Sequence, residues 1–495
     1  MSTGKYSGEN ENKKNEFSKN IEGRTELLGR VSSIKKEFEG RLSPLGRLEQ
    51  GHPAIFVSVG GGELGDLAVT AAKRWYGGET GGLKTVAFDR YQGFPAQDAA
   101  DASEVFDMMN GDLLEERIEK HVPDPTSPHA VYLEVEKIDT YRAYRLGMDR
   151  GYNIMSTPCS PLICMDRHAT KLMFDKLKLE RVDWAYADND GDVKKAAKDF
   201  GLPVIVKPVM TSSGHGTSIV QNEKELEAAY SYSVEHARGI GNEVIVERYV
   251  PELRKSGTEI TQIVVRHFDD RGTIVNSFLP PIEHKRPGAT YHESWLPATI
   301  SEKAAKGCRG GAERIAEFMG GLGIYAVEQF VLGDKVFNNE VANRPHDTGL
   351  VTRWMLNMDE GGIQLTSTLG LQLNAFHIEL TRQDVYGVAH VVLAPANITD
   401  DAKVKGFDAG RLNIFQSKLN ENNVEDTGDP RAGDFWYFGK PTAYGGRRMG
   451  LAVAFQSTLK FARQNAETIA HYAEGCISYE RAEGEEEGEK KEVEE

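Results

Sequence analysis

Residues 204–216 read Val204-Ile205-Val206-Lys207-Pro208-Val209-Met210-Thr211-Ser212-Ser213-Gly214-His215-Gly216. The β-branched start is a buried-strand pattern, and the Pro, Ser and Gly after it give the order strand, turn, loop, strand. A loop of Gly and Ser lets backbone N–H groups approach phosphate oxygens without a Cβ in the way. Lys207, at the strand end, would bring an ammonium to the same phosphates. No Gly-Lys-Ser/Thr opens a helix here, so this is not a Walker A loop. An ordinary hairpin with an exposed lysine would read the same way, and this stretch alone does not separate the two.

Downstream, residues 324–331 (IYAVEQFV) and 336–341 (VFNNEV) read as two strands joined by Gly333-Asp334, a hairpin signal. Glu328 lies in the first strand and Glu340 in the second. Opposed residues in such a pair are about 5 Å apart, so two carboxylates on one face would share a cation. Hard oxygen donors suit Mg²⁺ that also bridges substrate phosphates. Asn343 would add an amide oxygen. Two acids on the solvent face of a hairpin is the competing reading. Arg344-Pro345-His346-Asp347-Thr348-Gly349 follows at once, with the charge and turn chemistry of a site loop.

Upstream, Ala54–Val59, Lys84–Phe88 and Ala130–Val135 read as strands separated by helical patterns, one of them over Leu113–Lys120. That alternation implies a parallel sheet with crossovers, a Rossmann-like unit. Gly60-x-Gly62-x-x-Gly65 opens the first helix and Asp89 ends the second strand, formally a dinucleotide fingerprint. The physics supports a looser statement, that a Gly-rich helix N-terminus holds an anion. Helical patterns also cover Thr170–Lys178, Gly191–Phe200, Glu223–Ala237 and Ala304–Met319. Glu243–Tyr249 and Glu259–His267 read as strands, with Glu247 turned away from Ile245 and Val246. Near the end, Lys440 and the glycine-flanked Arg447-Arg448 make a phosphate clamp or a basic surface turn. A polar loop is expected over 418–434 and a closing helix over Phe455–Tyr472.

With 495 residues the chain exceeds one core. Its formal net charge of −16 argues against nucleic acid or anionic membrane as general partners, and leaves room for a local basic pocket. The four cysteines form no CxxC or Cys/His cluster, which implies a reducing, cytoplasmic setting. No apolar run approaches the roughly 20 residues that span a bilayer. The first residues lack the apolar core of a signal peptide and are too rich in Glu and Asn for a transit peptide. Residues 1–48 are polar, with one helix expected over Val31–Leu42.

Taken in order, GGGELG (60–65), FDRY (88–91), LEVEKI (133–138), the stretch above, VIVE (244–247), ESWLP (293–297), EQF (328–330), NEVANRPHDTG (339–349), FGKP (438–441) and GGRRMG (445–450) resemble the ATP-grasp enzymes. Among these the chain is most similar to the formate-dependent phosphoribosylglycinamide formyltransferases, over about residues 55–474. The resemblance implies an α/β ATP-grasp fold. A polar extension (1–48) would precede an N-terminal Rossmann-like parallel-sheet domain (49–166) and an ATP-grasp domain (167–370). A small C-terminal β-rich domain (371–478) and an acidic tail (479–495) would follow.

The resemblance implies ATP contacts at Arg167, Lys207, Ser212, Ser213, Gly214, His215, Gly216, Thr217, Glu247, Arg248, Tyr249, Val250 and Glu259. It implies Mg²⁺ ligands at Glu328 and Glu340. Contacts to glycinamide ribonucleotide would come from Glu63, Leu64, Glu134, Asp347, Lys440, Arg447 and Arg448. Lys207 and Asp347 are the catalytic candidates, and Asp347 is the candidate base by its place in the motif. The Gly-rich first turn would then serve the ribonucleotide rather than a dinucleotide. The implied reaction is ATP-dependent formylation by formate through formyl phosphate, in purine synthesis, by a homodimer. His215 stands where the family carries Lys, and Pro251–Gly257 lengthen the approach to Glu259. A related carboxylase using bicarbonate, and a nucleotide-binding protein without catalysis, are the alternatives.

Overall fold

The computed structural model describes residues 21–49, 52–77, 82–211, 214–237, 241–287, 291–398, 401–413, 415 and 433–480. Ser212, Ser213, most of the 418–434 loop and the tail beyond residue 480 lie outside the described residues. The chain divides into two units, residues 1–383 and 384–495.

In the first unit, helix α1 (Ile21–Glu39) precedes four strands, β1 (Ala54–Val59), β2 (Leu83–Asp89), β3 (Ala102–Val105) and β4 (His129–Leu133). They pair in parallel in the order β3-β2-β1-β4, with helices α2 (Glu63–Tyr76) and α3 (Gly111–His121) in the crossovers. This is the Rossmann-like unit that the alternation implied. Sequence reading missed β3, a four-residue edge strand of sequence ASEV with no apolar run to mark it. Asn110 caps α3 by accepting from two backbone N–H groups.

Helix α4 (Thr140–Asp149) leads on to helix α5 (Arg167–Lys176). A four-stranded antiparallel sheet follows: β5 (Trp184–Ala187), β6 (Val204–Pro208), β7 (Ser218–Val220) and β8 (Val244–Arg248), in the order β5-β8-β6-β7. The hairpin β6–β7 is the strand, turn, loop, strand expected of the quoted stretch. Helices α6 (Asp190–Phe200) and α7 (Leu226–Glu235) pack on one face of this sheet, against Val204, Val206, Val244 and Val246. Strand alternation puts Ile205, Lys207, Ile245 and Glu247 on the other face. Glu247 therefore shares its face with Ile245, contrary to the sequence reading.

The third sheet holds β9 (Thr258–Phe268), β10 (Ile274–Phe278), β11 (Ile282–Lys285), β12 (Glu293–Leu296), β13 (Gly323–Leu332) and β14 (Lys335–Ala342). Its order is β14-β13-β9-β11-β12, with β10 also on β9. Helix α8 (Glu302–Met319) packs on it, and helix α9 (Glu360–Thr368) packs on α2.

Helix α1 begins ten residues before the expected Val31, and it is not a loose extension. Leu27, Leu28, Val31, Ile34 and Phe38 are each 4% exposed or less. The first four pack among Met173, Phe174, Ile315, Met319 and Val341. At about 2 kcal/mol per buried apolar side chain, this stripe is enough to hold the helix down. Charged residues between the stripe positions hid it from a compositional reading.

In the second unit, β15 (Tyr386–Leu393), β17 (Gly433–Tyr437) and β19 (Arg448–Gln456) pair antiparallel as β15-β19-β17. Strands β16 (Ala402–Phe407), β18 (Thr442–Ala443) and β20 (Ile477–Tyr479) form a smaller sheet. Helix α10 (Leu459–Glu474) packs on β15 and β19. The closing helix thus starts at Leu459, because Phe455 still belongs to β19 and Thr458 caps the helix.

Candidate active site

Lys207 stands at the end of β6, its Nζ 2.6 Å from Glu247 Oε2 on β8. A second lysine, Lys171 on α5, lies 2.7 Å from Glu247 Oε1 and also donates to the Asn339 carbonyl. Burial favours the neutral form of Glu247, but the two ammonium groups overcome it and hold this carboxylate far below its usual range. Two positive groups around one negative leave a local excess of one positive charge. Lys207 is 14% exposed and Lys171 only 2%, so Lys207 is the ammonium that an incoming anion meets.

Arg167, at the first turn of α5, donates through Nε to Glu340 Oε1 at 2.9 Å and through Nη1 to the Pro208 carbonyl. Arg167 and Lys171 are four residues apart on one helix face, a spacing that could have revealed Lys171 in the sequence. On β13 and β14, Glu328 and Glu340 are direct register partners. Arg286, just past β11, donates to Glu328 Oε1 at 2.6 Å, and His346 Nε2 lies 3.0 Å from the same oxygen. Burial pushes both carboxyls up. Arg286 and His346 bring Glu328 well below the usual range, and Arg167 brings Glu340 below it.

Asp347 lies 3.1 Å from His346 Nδ1 and 3.6 Å from Arg286 Nη2. Glu259, on β9, is 3.4 Å from His284 Nε2. The added residues before it form a short helix, Pro251–Ser256. Asn343 has another task than the amide-oxygen ligand considered for it: buried, its Nδ2 donates to Ser160 Oγ. Among the described residues, no group of three or more His, Cys, Asp or Glu side chains is gathered for a metal. Two ionised carboxylates on neighbouring strands nevertheless fit a Mg²⁺ whose other ligands are phosphate oxygens.

The loop after β6 keeps Gly214 and Gly216 at positive φ, with Gly216 pressed on Pro208 where a Cβ would collide. Thr217 N closes the turn onto the Gly214 carbonyl, and His215 is exposed. Arg248 turns to the opposite face, where Asp183 and the Phe200 carbonyl take its guanidinium. Tyr249 and Val250, at the strand exit, are half-buried.

In the parallel-sheet part, Gly60 adopts φ +112° and its missing Cβ leaves space for the Glu134 carboxyl. Gly61 N donates to Asp89 Oδ2 at 3.0 Å. Asp89 therefore holds the glycine turn itself, which removes the acid that a dinucleotide ribose would need. Glu63 and Leu64, buried in the first turn of α2, sit beside this turn. Burial first, then Glu63 and Asp89, raise the Glu134 carboxyl to about 8, against the pull of Arg344. Glu134 Oε2 has no hydrogen-bond partner among the described residues. Arg344 donates to Glu136 at 2.6 Å and so ties the 344–349 loop to the loop after β4. Beneath that loop, buried Glu360 accepts from the His346 backbone N–H, and burial raises its carboxyl well above the usual range.

In the second unit Lys440 is buried beside the Phe438 ring, 5.3 Å from its centroid. Arg447 donates twice to Thr442 and lies over Tyr444. Arg448 opens β19.

The ATP-grasp domain family matches residues 172–360, and the family described as PurT, C-terminal, matches residues 423–472. A formate-dependent phosphoribosylglycinamide formyltransferase of Sulfurisphaera tokodaii is 36% identical over 415 residues, covering 83% of this chain and 94% of that protein. One from Methanocaldococcus jannaschii is 35% identical over 417 residues, covering 84% and 95%. Among solved structures, an ADP complex of N5-carboxyaminoimidazole ribonucleotide synthetase superposes with TM-score 0.67 at 20% identity, over 87% of this chain and all of that one. Glycinamide-RNase-transformylase T from Mycobacterium tuberculosis superposes with TM-score 0.63 at 21% identity, over 85% and 99%. These superpositions establish the ATP-grasp fold.

Proposed function

The chain belongs to the formate-dependent phosphoribosylglycinamide formyltransferases, and on that premise we propose how its residues divide the reaction. The enzyme formylates glycinamide ribonucleotide with formate and ATP, through formyl phosphate, in purine synthesis. A formate oxygen attacks the γ-phosphorus, the bond to the β-γ bridging oxygen breaks and ADP leaves. The amine of the ribonucleotide then attacks the formyl carbon, and phosphate departs.

One observation carries the assignment of the nucleotide site: Lys207, with Lys171 behind it, around the single carboxylate of Glu247. The unbalanced positive charge suits a triphosphate, and fixed charges that need not reorganise favour the transferring phosphoryl group. Arg167, the glycine loop and the exit of β8 from Glu247 to Val250 complete the ATP contacts, with Glu259 toward the ribose. Glu328 and Glu340 hold Mg²⁺, which when bound neutralises charge on the phosphates. Arg167 and Arg286 keep the two carboxylates ionised for that role. Glu63, Leu64 and Glu134 at the glycine turn are assigned to the ribonucleotide, as separately are Lys440, Arg447 and Arg448 of the second unit, and Asp347 accepts the amine proton. The corresponding domains are residues 49–166, 167–370 and 371–478.

A homodimer and a cytoplasmic setting complete the proposal. Four unpaired cysteines suit a reducing compartment, and no described helix is long and apolar enough to cross a membrane. The test is ADP release with Mg-ATP and glycinamide ribonucleotide, with formate or bicarbonate as the only acid. Release that needs formate and yields formylated product supports the reading. Release with bicarbonate alone would move the enzyme to the carboxylase chemistry.

A further inference from the structure

Helix α1 carries a charged side chain, Arg24, into the interior. Arg24 is 3% exposed. Its Nε donates to Asp166 Oδ2 at 2.8 Å, and Nη1 and Nη2 donate to the two oxygens of Glu243, also at 2.8 Å. Nη1 further lies 3.2 Å from His168 Nδ1. Burial and the neighbouring guanidinium lower His168 to about 4, so its ring is neutral and Nδ1 can accept. Tyr186 donates to Glu243 Oε1 and stacks on His168, which closes the cluster.

Asp166 and Glu243 are the entry points of the two elements that build the nucleotide site. Asp166 caps α5 by accepting from Ala169 N, and the next residue is Arg167. The Arg167 backbone N–H donates to the Val209 carbonyl, and Val209 N donates to the Glu243 carbonyl. Glu243 stands directly before β8, which carries Glu247. One guanidinium thus bolts the turn that aims Arg167 and Lys171 to the strand that presents Glu247. A bidentate Arg–carboxylate pair fixes orientation as well as distance, and a small misplacement of charged groups at a reacting phosphate is costly in rate.

We propose that Arg24 is a positioning residue of the nucleotide site, so that the helix ahead of the first sheet is part of the ATP-binding machinery. The proposal rests on the assignment of the Lys207 site to ATP. Its test uses the full chain as wild type, Arg24→Lys and Arg24→Ala. Dissociation constants for Mg-ADP are measured without formate or ribonucleotide, followed by KM values for ATP and ribonucleotide and by melting temperatures. Both variants are expected to weaken Mg-ADP binding and raise the KM for ATP by about tenfold or more, Ala beyond Lys, with the KM for ribonucleotide within about twofold of wild type. If Arg24→Ala does not fold, Arg24→Lys carries the test, since it keeps the charge and loses the two-oxygen grip. A lowered melting temperature with unchanged ADP affinity in Arg24→Lys would make Arg24 a stabilising residue only and overturn the proposal. A wild type that binds ADP but needs no formate would overturn the substrate assignment while leaving this comparison valid.

Discussion

Glu328 faces Glu340 because of a bulge, not because of the hairpin turn. Counting back from the Gly333-Asp334 turn, Leu332 pairs with Lys335 and Gln329 with Asn338. Continued without a break, that register would set Glu328 opposite Asn339. The ladder instead shifts by one residue between Glu328 and Gln329, and Glu340 arrives opposite Glu328. The extra residue, Asn339, offers its carbonyl to Lys171. A bulge re-aims a side chain, and here it puts two carboxylates on one face while linking them to the lysine pair.

Deleting Asn339 should therefore straighten the ladder with Glu340 still opposite Glu328, and remove only the carbonyl that Lys171 holds. We expect it to keep more Mg²⁺-dependent turnover than Glu340→Ala, which should lose about a hundredfold or more in kcat. Steady-state ADP release across a Mg²⁺ titration measures it. Full activity in Glu340→Ala would remove this residue from the metal site.

The two lysines on Glu247 should separate. Lys171→Met strips a partner from a buried carboxylate and should cost about 3 kcal/mol in urea unfolding. Lys207→Met removes the more exposed partner, so its main effect should be on ATP affinity. Equal stability of Lys171→Met and wild type would show that Lys207 alone satisfies Glu247.

Glu134 should leave a mark on stability against pH in the ligand-free protein. Its folded value of about 8 lies above the ordinary 4.5, so the folded state keeps a proton that the unfolded chain has released. The stabilisation is complete below the unfolded value and is lost as pH rises toward 8. Melting temperatures of wild type should thus fall relative to Glu134→Gln between about pH 5 and 8 and run parallel above. Parallel curves throughout would mean that Glu134 is ionised in the folded state.

Arg447 is held by Thr442 and Tyr444 within its own unit. Arg447→Ala should raise the KM for ribonucleotide by about tenfold or more and leave Mg-ADP affinity near wild type. Unchanged kinetics would take it out of the phosphate clamp.

Much of this was legible in the sequence because the signals were local. A β-branched run into a glycine loop announced β6 and β7, and strand–helix alternation announced the parallel sheet. The pairing of Glu328 with Glu340 was expected for the wrong reason, since a bulge has no sequence mark. Arg286 and Arg24 could not be assigned, because what defines them is a partner brought near by folding. Asp89 looked like a ribose ligand by position, and only its bond to Gly61 N shows it supporting the turn. Helix α1 was hidden because an apolar residue every third or fourth position is diluted in a charged stretch.

Arg24 and Glu243 are 219 residues apart in the chain, and the surface that receives α1 includes Val341. During synthesis α1 leaves the ribosome well before the strand that carries Val341, and its seat is complete only once that strand is made. The closure of so long a loop adds little to the equilibrium cost, which grows only with the logarithm of length, but contacts this remote form slowly. Helix α1 thus acts as a late latch: the cluster of Arg24, Asp166 and Glu243 closes only when this earlier-made segment docks.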